Sequence, residues 1–83
     1  MNKKELFSML QEKESIVKFN DFHARVRFLA DTIIDIIPNI DSIKLSNLLQ
    51  DYYYDIIGVS NNDIWKYIDQ YADELVAAGH INE

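Results

Sequence analysis

Eighty-three residues with a net charge of −6, 48% apolar content, two glycines, one proline and no cysteine describe one small folded domain. The missing cysteine rules out disulfides, thiolate metal sites and a cysteine nucleophile, and the length rules out a two-lobed enzyme. No stretch approaches the roughly 20 continuous apolar residues of a membrane span, and Met1-Asn2-Lys3-Lys4-Glu5 lacks the apolar run of a signal peptide, so a soluble, cytoplasmic monomer is expected.

Leu6, Met9, Leu10 and Lys13 recur at helical steps and predict a first amphipathic helix over about residues 3–14. Phe22, Val26, Leu29, Ile33 and Ile36 repeat at steps of four and three. They predict a second helix near 21–34, capped by Asn20 or Asp21 and stopped at or before Ile37 by Pro38. The run from Ile33 to Ile37 also suits an extended segment crossing the core, because isoleucine serves either geometry. A third helix is expected over about 42–57, with Asp41 or Ser42 as cap, Ile40 stapled to Leu45, and Gly58 as a left-handed stop. Leu48, Leu49, Tyr52, Tyr53 and Ile56 form its apolar stripe. Ser60 and Asp63 stand like a capping box, with Val59 and Ile64 as a staple, ahead of a fourth helical region over about 61–78 that ends at Gly79. That region reads as one helix or as a short helix followed by a longer one. Its apolar face is Ile64, Ile68, Tyr71, Ala72 and Leu75. The sum is a single all-α domain, a small four-helix bundle, with residues 1–19 readable as an N-terminal helical extension.

Charge is laid out unevenly along this framework. Residues 1–27 carry six basic and four acidic groups, whereas residues 28–83 carry two basic and ten acidic groups. A partner of the later part is therefore expected to be basic.

Ser42 lies at the predicted mouth of the third helix, between Asp41 and Ile43. A hydroxyl held there is accessible, and a phosphate placed on it is expected to meet unpaired backbone N–H groups and the positive end of the helix dipole. The triplet Asp41-Ser42-Ile43, continued by Lys44-Leu45-Ser46-Asn47-Leu48-Leu49, resembles the acyl carrier proteins and related phosphopantetheine-bearing domains, and the likeness extends over residues 41–83. The resemblance implies an acyl-carrier-like bundle with 4′-phosphopantetheine attached to Ser42, carrying an acyl or aminoacyl group as a thioester in a biosynthetic pathway. It implies partners in a phosphopantetheinyl transferase and in acyl-transfer or ligase enzymes with basic docking surfaces. Such a protein tethers substrate and is no enzyme itself. Asp51, Asp55 and Asp63 are the expected docking acids, Ile43 the expected contact to the arm or a partner, and Tyr54 an exposed contact residue. Read without the resemblance, Ser42 is an ordinary helix cap.

Two other functions fit parts of the chain. Gly58-Val59-Ser60 with Ile64, Ile68 and Ala78-Gly79-His80-Ile81 resembles the second half of a helix-turn-helix, but the would-be recognition helix carries Asp63, Asp69, Asp73 and Glu74 against Lys66. That charge opposes a DNA duplex, and no nucleic-acid partner is expected. The pairs Asp31/Asp35, Asp51/Asp55 and Asp69/Asp73 sit four apart and cost a few tenths of a kcal/mol each if helical. An acidic interaction module, such as an inhibitor, immunity or regulatory protein docking on a basic enzyme, accounts for them equally well. His23 and His80 have no neighbouring histidine at metal-binding spacing, no Glu-x-x-His pair is present, and no phosphate loop or Ser/His/acid set supports an autonomous active site.

Overall fold

Asn2, Asp21, Asp41 and Asn61 each hold extended backbone and accept a backbone N–H from the turn that follows. These four caps set the helix starts in the computed structural model, which describes residues 1–83. Helix α1 spans Lys3–Glu14, α2 spans Phe22–Ile36, α3 spans Ser42–Tyr52 and continues as a π turn over Tyr53–Ile57, and α4 spans Asn62–Ala77. Each cap satisfies a donor that the helix itself leaves orphaned, a contribution of about 1 kcal/mol. The stops are equally local. Ile37 leaves helical geometry ahead of Pro38, and Gly58 and Gly79 take positive φ of 80° and 78° that side chains with a Cβ resist.

One core joins all four helices. Leu6, Phe7 and Leu10 of α1 pack with Val26, Leu29 and Ile33 of α2, with Leu45 and Leu49 of α3, and with Ile64, Ile68 and Leu75 of α4. Residues 3–14 therefore supply one wall of the bundle. Helices α2, α3 and α4 pack pairwise, and α1 lies along α2. Phe7 meets Tyr52 of α3 edge-on, with ring centroids 5.2 Å apart. Between α2 and α3 Ile40 is buried beside the cap, and beyond α4 Ile81 returns to the core. The fold is the expected small all-α four-helix bundle.

Three local expectations need correction. The third helix is not uniform, because its last turn widens to π geometry and the N–H groups of Gly58 and Val59 both donate to the Tyr53 carbonyl at 2.9 Å. Tyr52 and Tyr53 are only 1% and 2% exposed, so two adjacent aromatic side chains go into the core where a regular helix would turn the second aside. The wider turn carries the stripe from Tyr52 to half-buried Ile57 and leaves Ile56 at 37% exposure, against the expectation that Ile56 is buried. The fourth helix is a single helix, and its cap is Asn61 instead of Ser60: Asn61 Oδ1 accepts from Asp63 N–H at 2.8 Å and from Ile64 N–H at 3.3 Å. The Ile33–Ile37 run is helical through Ile36, so the extended alternative is not adopted.

Candidate functional site

Ser42 is the first residue of α3, half-buried, and its hydroxyl makes no hydrogen bond within the protein. Asp41 is the cap, and its Oδ1 accepts from Lys44 N–H at 2.8 Å. Of the alternatives left open by the sequence, Asp41, whose side-chain oxygen lies one carbon further out than that of serine, takes the cap and releases the serine. The mouth itself is largely closed. Ser42 N–H donates to the Asn82 carbonyl at 2.8 Å, and Leu45 N–H donates to the Asp41 carbonyl at 3.0 Å. Only Ile43 N–H stays free in this turn, so the expected cluster of unpaired donors for a phosphate is not there.

The Ser42 side chain borders a polar groove between α3 and α4. Its α3 wall is Ser42, Ile43, Ser46, Asn47 and Gln50, and its α4 wall is Asp69, Ala72 and Asp73. No basic residue lines it. Asp69 and Asp73 have no ionic partner, and Ile43 stands at 70% exposure beside them. The residues around Ser42 thus do not fit a phosphodiester as a seat: two carboxylates face where its charge would lie, and one backbone donor remains.

The other expected docking residues are spread over different faces. Asp51 accepts from Lys3 Nζ at 2.9 Å, and Asp55 approaches the same ammonium at 4.0 Å. Lys3 lies near both carboxylates and offsets part of their mutual repulsion, and its pKa is raised chiefly by the hydrogen bond to Asp51. Both acids are half-exposed but already engaged. Asp31 likewise accepts from Tyr71 Oη at 2.8 Å, and burial together with that bond pushes the Tyr71 phenol up to about 12. Asp63 lies free in the first turn of α4. Tyr54 is 65% exposed on the π turn, the one member of the tyrosine triplet to face solvent, as the 100° spacing required. Only Ser42 and Ile43, of all the expected site residues, share the groove with Asp69 and Asp73.

A second polar cluster was not legible beforehand. Arg25 Nη2 and Tyr52 Oη both donate to the carboxylate of Glu14, whose side chain is 9% exposed, and they join α1, α2 and α3 beneath the surface. Burial, reinforced by the bond to Glu14, raises the Tyr52 pKa. Burial also pushes the Tyr53 hydroxyl up to about 12, with Arg25 opposing. Arg25 Nε and Tyr53 Oη are buried beside this cluster without a partner in the protein, a cost of about 1–3 kcal/mol each. Glutamate and arginine at positions 14 and 25 give no periodic signal, since their meeting depends on how α1 folds back on α2.

No three His, Cys, Asp or Glu side chains converge as a metal site, and no helix is long and apolar enough to cross a membrane. The α4 surface carries Asp63, Asp69, Asp73 and Glu74 with Lys66, an anionic field toward any duplex approaching that helix. Compared with protein families, with curated proteins and with solved structures, the chain matches none.

Proposed function

We propose that this protein is a non-catalytic docking module that receives a basic protein surface in the groove between α3 and α4. The carrying observation is the state of the three aspartate pairs. Lys3 offsets one of the two charges of Asp51/Asp55 and Asp31 of the pair Asp31/Asp35 is bonded to Tyr71, while neither member of Asp69/Asp73 has a cationic partner and both line a concave surface free of cations. Like charges four apart on a helix cost stability, and a partner's Lys or Arg recovers it on binding. Exposed Ile43 adds an apolar anchor next to the acids, and Ser46, Asn47 and Gln50 supply neutral hydrogen-bonding groups. An inhibitor, immunity or regulatory protein works in this way.

The test is a pull-down with the wild type and with the Asp69→Asn/Asp73→Asn double variant. One stoichiometric basic protein that is retained by the wild type, released at raised salt and lost with the double variant supports the reading. Equal retention by both proteins overturns it.

A second reading, a carrier modified on Ser42, is favoured by one observation: Asp41 takes over the cap, so the Ser42 hydroxyl has no backbone duty and opens on the same groove. The absent phosphate seat and the helix α2, which fills the stretch where carriers have a long loop, speak against it. Co-expression with a phosphopantetheinyl transferase followed by intact-mass measurement decides. A 4′-phosphopantetheine increment on the wild type that is absent from Ser42→Ala establishes the carrier. No increment removes it.

A further inference from the structure

A groove of about 550 Å³ opens between the end of α1, its connection to α2, and α2 itself, and it shares no residue with the groove beside Ser42. Half-buried Met9, Val17, Phe28 and Ile36 form it, and Ile16 of the connection stands at 88% exposure, the barest large apolar side chain in the protein. Thr32, the neutral polar residue of the groove, has its hydroxyl committed to the Phe28 carbonyl at 2.7 Å, so no uncharged side chain there awaits a polar ligand. The gain on covering this surface is the burial of apolar area, which calls for an apolar protein surface as the occupant.

The charges of the groove select which surface. Lys13 stands on the α1 wall and Asp35 on the α2 wall, both exposed and neither with an ionic partner in the chain. Opposite charges on opposite walls make the surface complementary to itself. A second copy related by a twofold axis running along the groove lays its α1 wall over the α2 wall of the first, so each lysine faces the other copy's aspartate. An axis across the groove would set like walls face to face and is disfavoured. Residues 1–27, with six basic against four acidic groups, are also the part of this acidic chain that repels a like copy least, and they supply Met9, Lys13, Ile16 and Val17. We propose that the protein forms a weak twofold dimer through this groove, with Ile16 of each copy seated in the groove of the other and Lys13 of each copy paired with Asp35 of the other, in place of the monomer expected from the sequence.

The experiment is sedimentation equilibrium of the full chain over a concentration range of about 5–500 µM, which brackets a weak association. The expected result is a reversible monomer–dimer equilibrium with a dissociation constant on the order of 100 µM, as for a contact at the low end of interface sizes. Ile16→Asp, at a position the single chain leaves exposed and folding therefore tolerates, abolishes the dimer. Lys13→Glu and Asp35→Lys each bring like charges together at two symmetry-related places and weaken the dimer about 10-fold, while the two combined restore it to within about threefold of wild type. All three positions are exposed, and circular dichroism verifies that each variant keeps its helices. A wild type that stays monomeric at the highest concentration, a dimer untouched by Ile16→Asp, single charge variants that dimerise as well as wild type, a combined variant that fails to recover, or association that grows past the dimer would each overturn the proposal.

Discussion

The backbone N–H of Ser42 donates to the carbonyl of Asn82 across 2.8 Å, so the segment that follows α4 closes the mouth of α3. Asp41 and Asn82 form an isolated parallel bridge at this point, and Ile81, 7% exposed, plugs the core immediately beside it. A short extended segment thereby ties the first and last turns of a helical pair together, and it consumes a donor that would otherwise make this helix start attractive to an anion.

Removing residues 81–83 forfeits the burial of Ile81, about 1.5–3 kcal/mol, and the bond to Ser42, about 0.5–1.5 kcal/mol. The truncated chain is expected to lose about 2–4 kcal/mol in urea unfolding followed by far-UV circular dichroism. Asn82→Ala, which keeps the carbonyl and changes only an exposed side chain, is expected to stay within about 0.5 kcal/mol of wild type. A full-strength truncated protein would show that the segment merely rests on the surface.

The division of labour at the start of α3 separates two neighbouring substitutions. Asp41→Ala removes the acceptor of Lys44 N–H and is expected to cost about 1 kcal/mol. Ser42→Ala removes a hydroxyl with no bond to the protein and is expected to change stability by less than about 0.5 kcal/mol. Denaturant midpoints of the two variants, measured side by side, check the assignment. A larger loss at Ser42 would return the cap to the serine. The near-neutrality of Ser42→Ala also makes it a clean control for the mass experiment.

Two buried phenols make the fold sensitive to alkali. Tyr52 and Tyr53 have folded pKa values raised above the ordinary value of 10.0, so the fold favours their protonated forms. Their contribution is complete below that value and is lost as pH climbs through the folded range. There the unfolded chain releases protons that the folded chain retains, and stability falls with a slope of about 1.4 kcal/mol per pH unit for each hydroxyl. Urea midpoints across this window should drop steeply, with the phenolate absorbance rising together with unfolding. Tyr52→Phe should lessen the slope by about one proton's worth. Midpoints that hold constant through this window, or a phenolate signal that precedes unfolding, would contradict the burial of these hydroxyls.

Much of the framework could be read along the chain because its causes are short-ranged. Asp21 and Asp41 cap through contacts three residues away, Pro38 and Gly58 stop helices through their own backbone geometry, and the four apolar stripes follow the 3.6-residue repeat. The errors fell where two local answers were nearly equal. Ser60 and Asn61 are both good caps, and the chain used the one whose carbonyl oxygen reaches two N–H groups. Tyr52 and Tyr53 are both buried as expected, but the π turn that follows moves Ile56 out of the stripe and brings Ile57 against the core in its place. Local preference has no means of weighing a widened turn against the burial of one isoleucine or the next.

The site was legible only in part. Ser42, Ile43 and the Asp69/Asp73 pair are visible as residues, but nothing in their spacing says that they meet across one groove. Asp51 and Asp55 were expected to await a partner, and Lys3, 48 residues before Asp51, engages them instead. Glu14 gathers Arg25 and Tyr52 from 11 and 38 residues away.

Helix content, helix starts and stops, the acidic later half and the lack of thiol chemistry are thus properties of the linear chain, since each rests on composition or on contacts within about one turn. Which acids are neutralised, which hydroxyls are orphaned and which helix mouth is shut depend on the mutual placement of four helices. That placement is settled by the packing of the whole core, a sum over distant side chains that no local window contains.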